Sequence, residues 1–251
     1  MAEPTNVPGD TTPDRRVLLV TGAGGSLGSA LCSALLPDAD VVAVHRSAPP
    51  PLPSQRQRWI DPLEPSRELP ENDRRVFGVR ADLTAEGAVE RVVEIALAHF
   101  GRIDGVVNAI GTTAPGSTLA SSAVLDRALL AFAVNAVVPA RVAATVAREH
   151  WRHRPRENRS RNRCVVHVGH HSALDGRRGG TPVLSASKAA LHALTRHQAE
   201  EFAAIGVRVN AVAPVAFPAR VSVDAVVEAV RTLLTSDDNG SVVPVPGRRS
   251  A

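Results

Sequence analysis

The feature that most constrains this chain is an apolar run that ends in a glycine-rich turn and reopens as a helix. Val17, Leu18, Leu19 and Val20 are apolar without interruption, as in a strand covered on both faces. The turn Thr21-Gly22-Ala23-Gly24-Gly25-Ser26-Leu27-Gly28 follows at once. Leu27, Ala30, Leu31, Ala34 and Leu35 then recur at helical spacing until Pro37. Glycines here let the backbone approach a pyrophosphate, whose charge meets the positive end of the helix dipole. Any tight turn favours glycine, so it is the position, first strand into first helix, that points to a dinucleotide.

The same grammar repeats downstream. Further short apolar runs at 41–44, 76–79, 106–107, 164–168, 207–212 and 242–245 predict strands. Helical spacing predicts helices from about 85 to 100, from 122 to 151 with interruptions near Asn135 and Pro139, and over 184–204 and 224–234. Strands alternating with helices imply an α/β fold, a Rossmann-like doubly wound parallel sheet in a single domain. We place that domain at 16–247, after a disordered leader at 1–15. A proline-rich stretch, 47–75, is read as a long loop.

Composition narrows the function classes. The 251 residues include no tyrosine and only 3% aromatics, so Ala, Val and Leu must fill the core. Much of the +4 net charge sits in 152–163, a basic stretch without interleaved aromatics, read as a solvated loop and not a nucleic-acid face. Cys32 and Cys164 are too few for a disulfide framework. With no signal-like start and no apolar stretch taken to be long enough to cross a membrane, a cytoplasmic location and no membrane partner are expected. His170 and His171 lack a third ligand at metal-binding spacing, so no metal is expected.

Cofactor choice turns on the end of the second strand. An acid there would bind the 2′-OH of NAD, whereas His45-Arg46-Ser47 offers an arginine suited to a 2′-phosphate. NADP(H) is expected over NAD(H).

Several motifs, in order, resemble those of the short-chain dehydrogenase/reductase family, especially its 3-oxoacyl-carrier-protein-reductase-like members. They are Gly22, Gly25 and Gly28, then Asp82-Leu83-Thr84, which resembles the adenine-contacting segment, and Asn108-Ala109-Ile110-Gly111. Asn135, Ser185-Ala186-Ser187-Lys188-Ala189-Ala190-Leu191 and Arg208-Val209-Asn210-Ala211-Val212-Ala213-Pro214 follow. The resemblance implies cofactor contacts from Gly22, Gly25, Gly28, Arg46, Asp82, Leu83, Asn108 and Lys188. It implies a catalytic set in which Asn135, Ser172 and Lys188 are the remnants.

The departures lie in that catalytic set. The family's Tyr-x-x-x-Lys requires tyrosine four residues before Lys188, and Leu184 stands there. Val168-Gly169-His170-His171-Ser172 stands where the family has a Ser-Ser pair. Direct counting puts Gly169 and His170 on that pair, and Ser172 reaches the role only if the loop shifts. Pro214-Val215 replaces a Pro-Gly, and only 216–221 remain for the usual lid.

Three functions remain open. The first is a catalytically degenerate subunit assembled with an active paralogue, an NADP(H)-dependent ketoreductase or alcohol dehydrogenase acting on a small-molecule or carrier-bound substrate. Heteromeric reductases of antibiotic biosynthesis are a model for it, and Ala131, Val134, Val138, Val142 and Val146 are the expected interface. The second is a stand-alone reductase with His170 or His171 in the tyrosine's place. The third is an NADP(H)-binding or scaffold protein without redox chemistry.

Overall fold

The computed structural model describes residues 15–52, 76–175, 181–215 and 221–247. Most of the expected leader, most of the proline-rich loop and nearly all of the short lid lie outside these. Seven strands form one parallel sheet: β1 (Arg16–Thr21), β2 (Ala39–His45), β3 (Phe77–Arg80), β4 (Gly105–Asn108), β5 (Cys164–Val168), β6 (Arg208–Pro214) and β7 (Val242–Val245). Their order is β3-β2-β1-β4-β5-β6-β7, so the chain reverses direction of travel between β1 and β4. Ligands of open parallel sheets bind beyond the carboxyl ends of the strands at such a switch point.

The central strands are continuous apolar runs because both faces are covered. On one face, α1 (Ser26–Leu35) and α8 (Val223–Thr235) pack Leu31, Leu35, Val226, Val230 and Leu233 onto Leu18, Val20, Val166 and Val212. On the other, α2 (Ala88–Phe100), α4 (Val138–Val146) and α7 (Pro182–Ala203) surround Leu19, Val106, Val165 and Val209. α2 starts three residues later than the spacing suggested and ends at Gly101, whose φ of 69° suits the left-handed cap. Between these elements lie the short α3 (Ala128–Phe132), α5 (Pro155–Ser160) and α6 (Ser172–Asp175).

Five expectations need correcting. Arg15 belongs to the domain and not the leader, because its guanidinium bonds the Leu36, Pro37 and Ala39 carbonyls and Asp40. The expected interruption near Asn135 is a change from α to π winding, whereas Pro139 makes no break. The turn at Ala133–Val137 widens so that the Val138 N–H reaches the Ala133 carbonyl, and the helix runs on through Pro139.

That helix, Ser122–Trp151, also reaches a mean hydropathy of 1.8, so a stretch of membrane-spanning length and apolarity does exist. Its apolar side is core. Val138, Val142 and Val146 lie in the cluster against the sheet, and Ala131 and Val134 are buried as well. These five residues therefore cannot be the expected interface. The exposed apolar residues of the segment are Leu125, Leu129, Leu130, Phe132 and Val137.

The basic stretch is no solvated loop either. It contains α5, and Arg163 is fully buried, bonded to Asp104, Asn158 and Glu157. Asp104 also accepts from the Val17 amide and Arg102, which knits the amino edge of the sheet.

Candidate functional site

At the carboxyl edge the turn glycines divide by role. A Cβ on Gly22, whose φ is +73°, would lie 2.7 Å from the Ala109 carbonyl oxygen, and one on Gly28 would strike the Gly22 carbonyl. Gly24, which sequence reasoning did not single out, is pressed against the Ala48 carbonyl. These three let the chain pack on itself. Gly25 differs: a Cβ there would meet only the Gly22 oxygen, at 3.4 Å. It is the N-cap of α1 and supplies no side-chain cap, so among the described residues the first-turn amides have no side-chain acceptor. Bare amides beside open space suit a pyrophosphate.

The adenosine end is set by register. His45 at the end of β2 lies beside Arg80 at the end of β3. Burial, and then the Arg80 charge, pull the His45 imidazole below its usual range. Arg46 is exposed next to it, with its carbonyl accepting from Arg80 Nε at 3.2 Å. Sequence reasoning missed Arg80, because only strand pairing places it beside Arg46. Asp82 accepts from the Thr84 hydroxyl at 2.6 Å and the Thr84 amide at 3.0 Å. Those two bonds hold its carboxyl below the usual carboxylate range. Leu83 is buried beneath it.

Asn108 contributes differently from the expectation. Its side chain is fully buried; Oδ1 accepts from Thr21, and Nδ2 bonds the Pro139 carbonyl and His167 Nδ1. Both amide hydrogens are engaged within the protein, so the side chain is a strut joining β1, β4, β5 and the long helix. Any contact with a cofactor falls to the backbone that follows.

Asn135 and Lys188 do converge. Asn135 pairs with the backbone of Thr112 in both directions, at 2.8 and 2.9 Å, and donates to Ser187 Oγ at 2.9 Å. Ser187 in turn donates to the Leu184 carbonyl. Lys188 Nζ donates to the Val168 carbonyl at 2.7 Å and the Ile110 carbonyl at 3.4 Å, and burial lowers its ammonium to about 8. Leu184 is 8% exposed, an apolar side chain in the core with neither proton donor nor acceptor.

Ser172 is fully buried at the start of α6. Its hydroxyl lies 2.7 Å from His170 Nδ1 and accepts from Ser185 Oγ at 2.7 Å. His171 is held to β6 by its amide, which donates to the Pro214 carbonyl at 3.0 Å. Gly169 has a local cause: a Cβ there would strike Nε2 of His192, a buried imidazole one helical turn past Lys188. Neither ring nitrogen of His192 has a hydrogen-bond partner among the described residues. Sequence reasoning missed His192 and Ser185, although the spacing of 184, 188 and 192 puts those three on one helix face.

Among the described residues no group of His, Cys, Asp and Glu could hold a metal ion. The turn at Gly25, the residues at the ends of β2 and β3, Asp82 and Lys188 together fit a dinucleotide laid across the switch point.

Comparison with known proteins agrees with this geometry. The family described as enoyl-(acyl carrier protein) reductase matches residues 62–238. The chain is 29% identical over 203 residues to the short chain dehydrogenase adrF of Penicillium rubens, covering 80% of this chain and 69% of that one. It is 27% identical over 240 residues to the acetoacetyl-CoA reductase of Allochromatium vinosum, covering 94% and 85%. A short-chain type dehydrogenase/reductase from Mycobacterium ulcerans superposes with a TM-score of 0.70 at 22% identity, covering 92% and 88%, a likeness of fold.

Proposed function

The chain belongs to the short-chain dehydrogenase/reductase family, and from that premise we propose that it is an NADP(H)-binding subunit whose own proton relay is incomplete. It works beside a catalytically intact relative that reduces a ketone or oxidises an alcohol. The observation that carries this reading is Leu184, a buried leucine between an Asn135–Ser187 pair and a Lys188 that match the family's pattern. General acid–base catalysis is worth about 10² to 10⁴ in rate, and leucine supplies none of it.

When bound, NADP(H) supplies or accepts a hydride. The residues we assign to hold it are the backbone at Gly25 for the pyrophosphate, Arg46 with Arg80 for the 2′-phosphate, and Asp82 and Leu83 beside the adenine. Lys188 is assigned to the nicotinamide ribose. NADP(H) over NAD(H) is supported by those two arginines and by the absence of an acid at His45.

Assembly with a related chain is supported by the apolar side chains that the long helix leaves in solvent, Leu125, Leu129, Leu130, Phe132 and Val137. The proposed substrate is a small or carrier-bound carbonyl compound in secondary metabolism, in a cytoplasmic setting without nucleic-acid or membrane partners. The test is turnover. The lone chain should oxidise NADPH no faster than background with acetoacetyl-CoA, and Leu184→Tyr should not restore activity. Tagged chain should co-purify with a relative from the same source that carries Tyr-x-x-x-Lys. A monodisperse homo-oligomer that ignores such relatives would overturn the reading.

A second reading, a stand-alone reductase, is favoured by one observation. His170 is hydrogen-bonded to Ser172 and through it to Ser185 at the same edge of the sheet. Robust NADPH oxidation by the lone chain, abolished in His170→Ala, would establish it in place of the first.

A further inference from the structure

The amino edge of the sheet, across from the glycine turn, gathers arginines that cofactor binding does not use. Arg16 opens β1, Arg102 precedes β4, and Ser160 and Arg161 precede β5, so parallel pairing brings all four to one edge. Together with Glu157 they line an open cleft of about 480 Å³. Sites for small molecules measure roughly 300–1,000 Å³.

Arg16 has no carboxylate beside it among the described residues. Its guanidinium donates to the Leu234 carbonyl at 3.0 Å, the Asn162 carbonyl at 3.3 Å and Cys164 Sγ at 3.7 Å, and its buried Nε has no acceptor among those residues. The grip on Leu234 holds Arg16 at the carboxyl end of α8, whose dipole offsets part of the charge. It does not account for Arg102 and Arg161 lining the same cleft. The two acids of this edge are shared among arginines. Asp104 is fully buried and takes Arg102 at 2.6 Å and Arg163 at 3.4 Å. Glu157, the one acid on the cleft wall, takes Arg163 at 2.6 Å and Arg161 at 3.3 Å. These pairs fix the guanidiniums at the wall, and a group with five N–H donors is not used up by one carboxylate.

We propose that this cleft is an anion site for a phosphate group, separate from the dinucleotide site at the carboxyl edge. A carboxylate presents two oxygens in one plane, which a single arginine satisfies as a bidentate pair. Guanidiniums arriving from three segments of the chain suit a tetrahedral dianion, which offers oxygens in several directions. Free phosphate and the phosphate monoester of a small metabolite share that chemistry, and the open volume beyond the arginines leaves room for the ester's carbon part.

Isothermal titration calorimetry of the full chain, at an ionic strength fixed with sodium chloride, tests this with sodium phosphate and glycerol 3-phosphate as probes. The wild type should bind phosphate saturably, and sulfate should compete where acetate does not. Ser160→Asp, which sets a negative charge on the exposed rim, should weaken binding at least tenfold with circular dichroism unchanged. Arg161→Gln should weaken it about tenfold, the effect of one charge-assisted hydrogen bond. Arg16→Gln should abolish binding, and where it unfolds the chain the other two variants decide. Tighter binding of glycerol 3-phosphate than of phosphate identifies an ester as the ligand, whereas binding of phosphate alone identifies the free ion. Arg46→Ala should leave the affinity unchanged, and loss of binding there would put the phosphate at the adenosine end and overturn the proposal. No binding of either probe, acetate competing as well as sulfate, or an unchanged affinity in Ser160→Asp and Arg161→Gln also overturns it.

Discussion

Three buried histidines should make this protein unusually sensitive to mild acid. Burial is the main cause of depressed values at His150, His167 and His192, lowered to about 4, about 3 and about 4 from an ordinary 6.5. Neighbouring cations act in the same direction: Arg163 and Arg154 at His150, Lys188 at His167, and Lys188 and Arg196 at His192. The fold holds each ring neutral, while the unfolded chain takes up protons as soon as the pH drops below about 6.5. Stability is therefore complete above that value, falls with pH, and stops falling only near the folded-state values. At pH 5 the linkage amounts to about 2 kcal/mol per histidine and about 6 kcal/mol for the three. That is comparable with the whole stability of a typical domain, about 5–15 kcal/mol. Urea denaturation followed by circular dichroism at pH 8 and pH 5 measures it. His192→Leu should remove about a third of the acid loss. It should cost little at pH 8, because it deletes two buried nitrogens that lack partners among the described residues. Equal unfolding midpoints at the two pH values would refute the argument.

Arg46→Ala and Arg80→Ala should each weaken NADPH binding about tenfold, the worth of one charge-assisted hydrogen bond, and leave NADH nearly unchanged in a fluorescence titration. Gly25→Ala should abolish dinucleotide binding with little change in melting temperature, because its Cβ meets only one atom at 3.4 Å. Gly28→Ala should instead destabilise the fold, since its Cβ would strike the Gly22 backbone. Leu129→Glu, on a side chain 87% exposed, should prevent assembly with a partner and leave circular dichroism unchanged. A charge at the buried Val142 should unfold the chain.

Much of this protein was legible in order along the chain. Strand β5 was read with the bounds it has because a strand covered on both faces is a mostly apolar run, and the partly buried edge strand β7 was read with its bounds because turn residues delimit it. The glycine turn declared a close backbone approach. The missing tyrosine is a matter of residue identity alone, legible once Lys188 and its neighbours show where tyrosine belongs. What misled was the long helix. Its five Ala and Val residues were taken as a second apolar face for a partner, and the sheet and its neighbouring helices claim them instead. A residue's spacing says which side of a helix it occupies but not what lies against that side.

The sequence by itself determined the alternation of strands and helices, the glycine turn and the leucine at position 184, since each is written in neighbouring residues or in periods of two and 3.6. Only the tertiary structure decided which glycine faces open space, that Arg163 is an interior ion-pair partner, and that Ser172 sits within hydrogen-bond distance of both His170 and Ser185. Those depend on contacts between segments far apart in the chain. No local pattern encodes them, because the free energy of a buried polar group is set by the particular atoms that the fold brings within hydrogen-bonding distance.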